Sequence, residues 1–325
     1  MKGLNQQFNR IMLAMVVLVA APTFAGTGKA VSESKAVSAN ERIELEVMRG
    51  EVEIKVGSGN QFKINGTLDE EAEGYEFKSS GGVTRFVVKM PRRLFNNGYN
   101  EDDNKGSKLV VEVPQSAVLN FEGVSTNVNA SGVKGGADIT TVNGTINASQ
   151  LAGNVSLQTV NGNIASNDLQ GHLKLSTVNG EIKDQSKAAS LEMESVNGEL
   201  HSVSTAKEVE VSTVNGEVDL SLNGSERVEF STVNGQIDIK LAGSKAPRIS
   251  GSSVSGSLTL TMPDIESARI SIEASAGGDI DNKLTQDKVV DAKYGPMSSL
   301  DTTLGGGDGR IEIETVSGEV VLKRK

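Results

Sequence analysis

The sequence has no cysteine and no tryptophan among its 325 residues, and aromatic side chains make up only 3% of it. The absence of cysteine excludes disulfide bonds, thiolate-bound metals, thiol catalysis and lipid attachment at a lipoprotein cysteine. So few aromatic residues argue against a thick globular core and favour a thin one filled with Val, Ile and Leu. Only six prolines stand against 36 glycines, so glycine is the main turn-forming residue.

An excess of basic charge is also missing, because the formal net charge is −10. A negative surface repels phosphate backbones, so we expect no nucleic-acid partner. Cations and cationic peptides remain conceivable ligands.

One long apolar run is present, at residues 11–21, and it follows the basic residues Lys2 and Arg10. Small residues then lead to Ala25. The run is well short of the ~20 apolar residues that a membrane span needs. The pattern predicts a secretory signal peptide cleaved after Ala25, hence an exported protein, periplasmic or at the cell surface, with no membrane span after cleavage.

The tripeptide Val-Asn-Gly recurs in the middle of the chain, and a fixed period of this kind dictates the architecture. The first five copies are 18 residues apart and the last step is 19; degenerate copies begin at Val124, Val254 and Val316. The full copies begin at Val142, Val160, Val178, Val196, Val214 and Val233.

Within each repeat, apolar residues alternate with polar ones, as in a strand. Leu173 and Leu175 share one parity, whereas Val178 and Ile182 share the other. The inward face must therefore change sides near Ser176-Thr177, at a bulge or corner. We expect the valine of the tripeptide to point inward.

Two architectures fit this pattern. Asn-Gly between strands is a strong hairpin signal, so each repeat could be an antiparallel hairpin. The constant repeat length instead favours a solenoid in which each repeat is one coil, with Asn-Gly supplying a left-handed backbone conformation at a corner. We predict an all-β fold, a single-stranded β-solenoid or parallel β-helix with ~18-residue coils and an N-terminal β cap.

Stacking would align two polar columns on the outside of such a solenoid. Side-chain hydrogen bonds along them would hold the register, and the alternative role is a polar face displayed to a ligand. The candidate display or ladder positions are Thr141, Thr159, Thr177, Ser195, Thr213 and Thr232, with Asn143, Asn161, Asn179, Asn197, Asn215 and Asn234.

The remaining segments complete a predicted domain plan, in which the cap covers an otherwise bare sheet edge. The predicted segments are a signal peptide (1–25), a flexible lead-in (26–40), an N-terminal β cap region (41–118), solenoid repeats (119–264), and an irregular segment with a C-terminal coil (265–325).

The chain resembles the exported bacterial β-strand-repeat family usually called "putative adhesin", a domain of unknown function. The likeness rests on Leu109 to Pro114, the serial Ser/Thr-Val-Asn-Gly copies, and the Gly-rich turn before Ile311 to Leu322. The resemblance implies a β-solenoid at the cell envelope or surface and brings no catalytic residues. Some relatives are associated with envelope stress.

A carbohydrate-active lyase or hydrolase is the main alternative, because parallel β-helices often cleave polysaccharides. Such an enzyme needs convergent carboxylates. The candidate acids are Asp69-Glu70-Glu71, Glu101-Asp102-Asp103, Asp279 and Asp281, and each group lies in a hydrophilic segment typical of solvated charge.

The two histidines, His172 and His201, lie at different phases of the repeat, so we expect no shared metal or catalytic site. Glu181, Glu199 and Glu217 form a partial acidic column that could gather cations. Calcium-binding β-rolls and ice-binding arrays fit the sequence poorly.

We therefore expect no catalytic residue, no metal and no cofactor. The favoured function is a non-enzymatic envelope or surface scaffold whose stacked polar face binds an envelope protein, a glycan or a cationic peptide. The alternatives are the carbohydrate-active enzyme and a ligand-free structural or envelope-stress module.

Overall fold

The computed structural model describes residues 28–91 and 105–324. Within these ranges the chain is all-β and contains no helix. The predicted signal peptide and the acids Glu101-Asp102-Asp103 lie outside the described residues.

The strands are, in chain order, β1 (Ala30–Ala36), β2 (Arg42–Val56), β3 (Gln61–Thr67), β4 (Gly74–Ser80), β5 (Val83–Lys89), β6 (Ser107–Val113), β7 (Val118–Ser131), β8 (Ala137–Thr140), β9 (Ile146–Ser149), β10 (Ala152–Thr159), β11 (Ile164–Asn167), β12 (Gln170–Thr177), β13 (Ile182–Gln185), β14 (Ser190–Asn197), β15 (Leu200–Ser204), β16 (Glu208–Asn223), β17 (Arg227–Ala242), β18 (Arg248–Thr261), β19 (Ala268–Ala274), β20 (Asp279–Lys283), β21 (Val290–Asp291), β22 (Ser298–Leu304), β23 (Gly309–Thr315) and β24 (Glu319–Lys323).

Each repeat forms one coil that pairs in parallel with the next coil, 18 residues further along. On one side of the coil β10 pairs with β12, which places Leu157 opposite Leu175. On the other side β11 pairs with β13, which places Ile164 opposite Ile182. The repeat is therefore solenoid-like, and the alternative of one antiparallel hairpin per repeat is wrong.

Inward residues of both sides form the core, and the valine of the tripeptide is not among them. Leu175, Thr177 and Ile182 are buried, whereas Val178 is only half-buried. Two successive residues, valine and asparagine, face outward at the corner, so the parity changes there. The expectation that the valine points inward is wrong.

Glycine ends each tripeptide because the backbones stack too closely for a side chain. A Cβ on Gly180 would lie 1.9 Å from the carbonyl oxygen of Gly162, and one on Gly198 would lie 2.0 Å from that of Gly180. Among the described non-glycine residues, positive φ occurs only at Gln150 and Asp168, at the opposite turn of the coil. The predicted left-handed conformation at Asn-Gly is wrong, because neither residue of the six full copies has a positive φ.

Near the N-terminus the chain order and the stacking order differ. Strand β2 pairs in parallel with β7 on one side and with β5 and β6 on the other. Although residues 41–118 were predicted to be a cap, β2 is thus a full coil of the stack. Antiparallel strands β3 and β4 then cover β6 and β5. Strand β1 pairs with β3, so a flexible lead-in is wrong for Ala30–Ala36.

The C-terminal end repeats this arrangement. Strands β23 and β24 pair with β18, and β19 and β20 pair with β23 and β24 on their outer side. Residues 268–283 therefore form a further coil, and the prediction of an irregular segment is wrong for them. Antiparallel β22 covers the outer edge of β19.

Candidate functional site

The threonine column predicted for display lies inside the coils. Its members Thr141, Thr159, Thr177, Ser195, Thr213 and Thr232 are all buried, from 0% exposure at Thr141 to 6% at Thr232. Several hydroxyls donate to the backbone of the preceding coil: Thr159 Oγ1 lies 3.1 Å from the Gly144 carbonyl oxygen and Thr177 Oγ1 lies 3.2 Å from that of Gly162. A displayed threonine face is therefore wrong, because the valine that follows takes the outward position.

The asparagine column lies outside and forms a ladder of amide hydrogen bonds. Nδ2 of Asn161 donates to Oδ1 of Asn143 at 2.8 Å, and Asn179 donates to Asn161 at 2.9 Å. Asn197 and Asn215 extend the ladder, with distances of 3.1 Å at both steps. Asn234 lies in register with Asn215, and its Oδ1 accepts a bond from Ser255. These bonds tie neighbouring coils together at fixed register.

Beside the asparagines runs a column of solvent-exposed valines. Val142 is 36% exposed, Val233 46% and Val254 48%. We call this column and the asparagine ladder the Val–Asn edge; its valines are Val142, Val160, Val178, Val196, Val214, Val233, Val254 and Val316. In the described structure nothing covers it. A continuous apolar strip of this kind is typical of an interaction surface.

Backbone hydrogen bonds at the corner keep the valines of the Val–Asn edge aligned from coil to coil. The amide of Asn161 donates to the Val142 carbonyl at 2.7 Å, and the amide of Asn179 donates to the Val160 carbonyl at 2.8 Å. Each valine therefore stands almost directly above the valine of the coil before it.

The histidines do not share a column. Nδ1 of His172 lies 2.8 Å from Oγ of Ser190. Nε2 of His201 instead lies 3.4 Å from a carboxylate oxygen of Glu199 and 3.7 Å from one of Glu181. The donor atoms of Glu181, Glu199 and His201 lie close enough together to hold a metal ion. The amine of Lys183, however, already lies 2.6 Å from Glu181.

The candidate catalytic acids that the structure describes do not converge. Asp69 forms a buried ion pair with Arg49 at 2.7 Å, so its assignment to solvated charge is wrong. Asp281 pairs with Lys283, and Asp279 accepts a bond from the backbone amide of Ile280.

Asp184, which was not predicted as a site residue from the sequence, is buried in the core. It accepts hydrogen bonds from the hydroxyls of Ser166, Ser186 and Ser202 at 2.5, 2.9 and 3.0 Å. Burial raises the pKa of the Asp184 carboxyl, although the serine bonds act to lower it. The available signal was the acid at a position where the adjacent coils carry Ser166 and Ser202 and the coils beyond them carry Ala148 and Leu220.

A family model described as Toastrack DUF4097 matches residues 40–323. The chain belongs to this family. The resemblance to the "putative adhesin" proteins of unknown function is thereby confirmed.

Two solved structures are similar to this chain at low sequence identity. One from Parabacteroides merdae, described as a putative adhesin, has a TM-score of 0.51 and 13% identity over 73% of this chain and 98% of that chain. One from Bacteroides fragilis, also described as a putative adhesin, has a TM-score of 0.41 and 18% identity over 72% and 97%. At 13% identity the likeness to the Parabacteroides merdae structure shows the fold alone.

The comparison of this Toastrack chain with curated proteins gave no match. Within the described residues, no helix has the length and apolar character needed to cross a membrane.

Proposed function

We propose that this Toastrack protein is a non-enzymatic, exported scaffold of the cell envelope or surface that binds a protein partner along the Val–Asn edge. The observation that carries the proposal is the exposed valine column, which continues through eight neighbouring coils. Burying an apolar side chain against a partner is favourable, whereas leaving it in water is not. A rigid strip with a regular repeat suits a partner that presents an extended apolar surface.

Charges beside the strip indicate the partner's character. Glu194 and Glu314 stand two residues before their valines, and Glu199 and Glu217 stand three residues after theirs. Carboxylates thus flank the valine column at some of its coils, and one of them, Glu194, also lies 3.2 Å from the amine of Lys174. Charge complementarity favours a partner whose apolar strip has basic margins.

Site-specific photo-crosslinking tests the proposal. A photoreactive residue at Val196 is expected to give a discrete crosslinked species in the intact envelope. The matched control is Val203, which is 59% exposed and lies away from the edge. The same species from both positions, or none from Val196, would contradict binding along the edge. A crosslink to a cationic peptide or a glycan would replace the protein partner with that ligand.

The absence of catalysis has its own test. The purified protein is expected to leave bacterial and plant polysaccharides intact, measured as release of reducing ends or unsaturated products. Depolymerisation that is lost on changing Asp279 or Asp281 to Asn would favour the carbohydrate-active enzyme.

A further inference from the structure

Four arginines stack in one column at the C-terminal end of the protein, each at the outer face of its strand. Arg227 lies in register with Arg248, Arg248 with Arg310, and Arg310 with Arg269. Neighbouring strands are about 4.8 Å apart, so four guanidinium groups occupy adjacent rungs. We call these four residues the Arg column.

Like charges directly opposite one another on neighbouring strands are destabilising. Glutamates two residues further on pair with two members: Arg227 with Glu229 at 3.2 Å and Arg310 with Glu312 at 2.5 Å. Serines, Ser250 and Ser271, occupy the corresponding positions after Arg248 and Arg269. Among the described residues, these two arginines have no ion pair, and they alternate along the stack with the two that do.

A groove of about 1050 Å³ runs along the Arg column. Its far wall is β22 with the turn at residues 305–309, where Thr303 stands opposite Arg269. The groove is open to solvent and long enough to span all four rungs.

The groove also contains carboxylates, and each accepts a hydrogen bond from the protein. Glu229 and Glu312 are held by their arginines. Asp301 accepts from the Ser271 hydroxyl at 2.8 Å, Asp308 from the Ser267 hydroxyl at 2.7 Å, and Asp287 from Thr302. With five carboxylates beside four arginines, the groove has no excess of positive charge, so a ligand with acid groups alone gains little from it.

We propose that this groove binds an acidic oligosaccharide. Guanidinium groups present planar forks of donors that match carboxylate, sulfate and phosphate groups. Arg227 and Arg310 each use one guanidinium nitrogen in the bonds described above, and all four arginines line the groove. Sugar hydroxyls would donate to the groove carboxylates, and the spaced acid groups would accept from Arg248 and Arg269. This site is separate from the Val–Asn edge and does not rest on its proposed partner.

Calorimetric titration of the full chain tests the ligand class with three probes of equal length. These are hexagalacturonate, a neutral hexasaccharide and hexaglutamate. Hexagalacturonate is expected to bind at least ten-fold more tightly than either of the others, because only it has both acid groups and sugar hydroxyls. Equal or tighter binding of the neutral sugar or of hexaglutamate would overturn the proposal, as would no saturable binding of hexagalacturonate.

Substitutions locate the binding. The double variant R248Q/R269Q is expected to weaken hexagalacturonate binding at least ten-fold. The control K35Q/K240Q removes two exposed positive charges outside the groove and is expected to bind as the parent does. An equal loss of affinity in both variants would show that net charge alone causes the effect and would overturn the proposed site. Thermal melting of each variant confirms that it is folded.

Two further variants separate the possible failures. R248K/R269K keeps the charge without the fork and is expected to bind more weakly than the parent; full affinity would overturn bidentate recognition. V160S/V196S/V214S alters the Val–Asn edge and is expected to bind hexagalacturonate normally. Loss of hexagalacturonate binding in this variant would overturn the separate location of the site.

Discussion

Some buried hydroxyls of the threonine column have a hydrogen-bond partner, and others do not. Thr159 donates to the Gly144 carbonyl, whereas the hydroxyls of Ser195, Thr213 and Thr232 have no hydrogen-bond partner within the described structure. A buried polar group without a partner lowers stability, while one with a partner contributes modestly.

Substitution of these threonines by the similarly shaped valine should therefore have opposite effects. Thr159→Val is expected to lower the free energy of unfolding by about 1 kcal/mol, because a buried hydrogen bond is lost. Thr213→Val is expected to leave it unchanged or to raise it. Urea unfolding of both variants gives the comparison, and equal losses would show that Thr213 has a partner after all.

Asp184 makes stability depend on pH. Because its pKa is raised in the folded protein, the folded state holds the proton more tightly than the unfolded chain. Its contribution to stability is therefore greatest below the ordinary value of 3.8 and is lost as pH rises through the raised pKa.

Asp184→Asn should remove that loss. We expect a higher melting temperature than the parent at neutral pH, and a smaller decline between acid and neutral pH. Asp219→Asn, which neutralises an exposed acid in the next but one coil, is the control. If the parent is as stable at neutral pH as at acid pH while Asp184→Asn gains nothing, the buried carboxyl has no such effect.

At the scale of the structural element, the corner glycines set how closely two coils can stack. Gly180→Ala would place a methyl group 1.9 Å from the backbone oxygen of Gly162. Neither coil can move away far enough without losing its pairing register. We expect a loss of about 3 kcal/mol, as for severe overpacking.

The matched control for this substitution is Gly306→Ala. The nearest atom there is the Asp308 carboxylate oxygen at 3.2 Å, which a side-chain rotation can move. Chemical unfolding of both variants is the measurement. Equal losses would indicate that the general effect of replacing glycine by alanine, and not the stacking distance between coils, decides the outcome.

The repeat period was sufficient to predict the coils and the alignment of the asparagines, but not which corner residue points inward. Thr177 and Val178 are adjacent, so either could continue the inward face, and hydrophobicity favoured the wrong one. The reason lies in the neighbouring coil, whose carbonyl at Gly162 accepts the buried hydroxyl. That contact is invisible in a single repeat.

The Arg column could not be predicted from the sequence for a different reason. Its four members begin similar segments, such as Arg248-Ile249 and Arg310-Ile311, which was an available signal. Their order in space differs from their order in the chain, however, because β23 lies between β18 and β19. Spacing along the chain therefore could not bring Arg310 between Arg248 and Arg269.

At the scale of the whole molecule, each coil contacts only its two neighbours, so the stack should tolerate the loss of one complete coil. Deletion of residues 180–197 joins Asn179 to Gly198 and restores a Val-Asn-Gly corner. We expect a folded protein with a cooperative thermal transition, because every remaining inward residue keeps its face.

Deletion of only residues 180–188 is the control, since it removes half a coil and places the following strand on the wrong side. We expect it to be unfolded or aggregated by circular dichroism and size-exclusion chromatography. If both deletions behave alike, the coils are not independent units of the stack.

The insertion of β23 and β24 between β18 and the β19–β20 coil has a consequence for biogenesis. Until β23 and β24 are available, the β19–β20 coil lacks the strands with which it pairs, and β18 exposes an unpaired edge. Synthesis proceeds from the N-terminus, so this gap closes only after β23 and β24 have been made. Folding of this end therefore depends on β23 and β24, and their loss would leave an adhesive β-edge open to association with other chains.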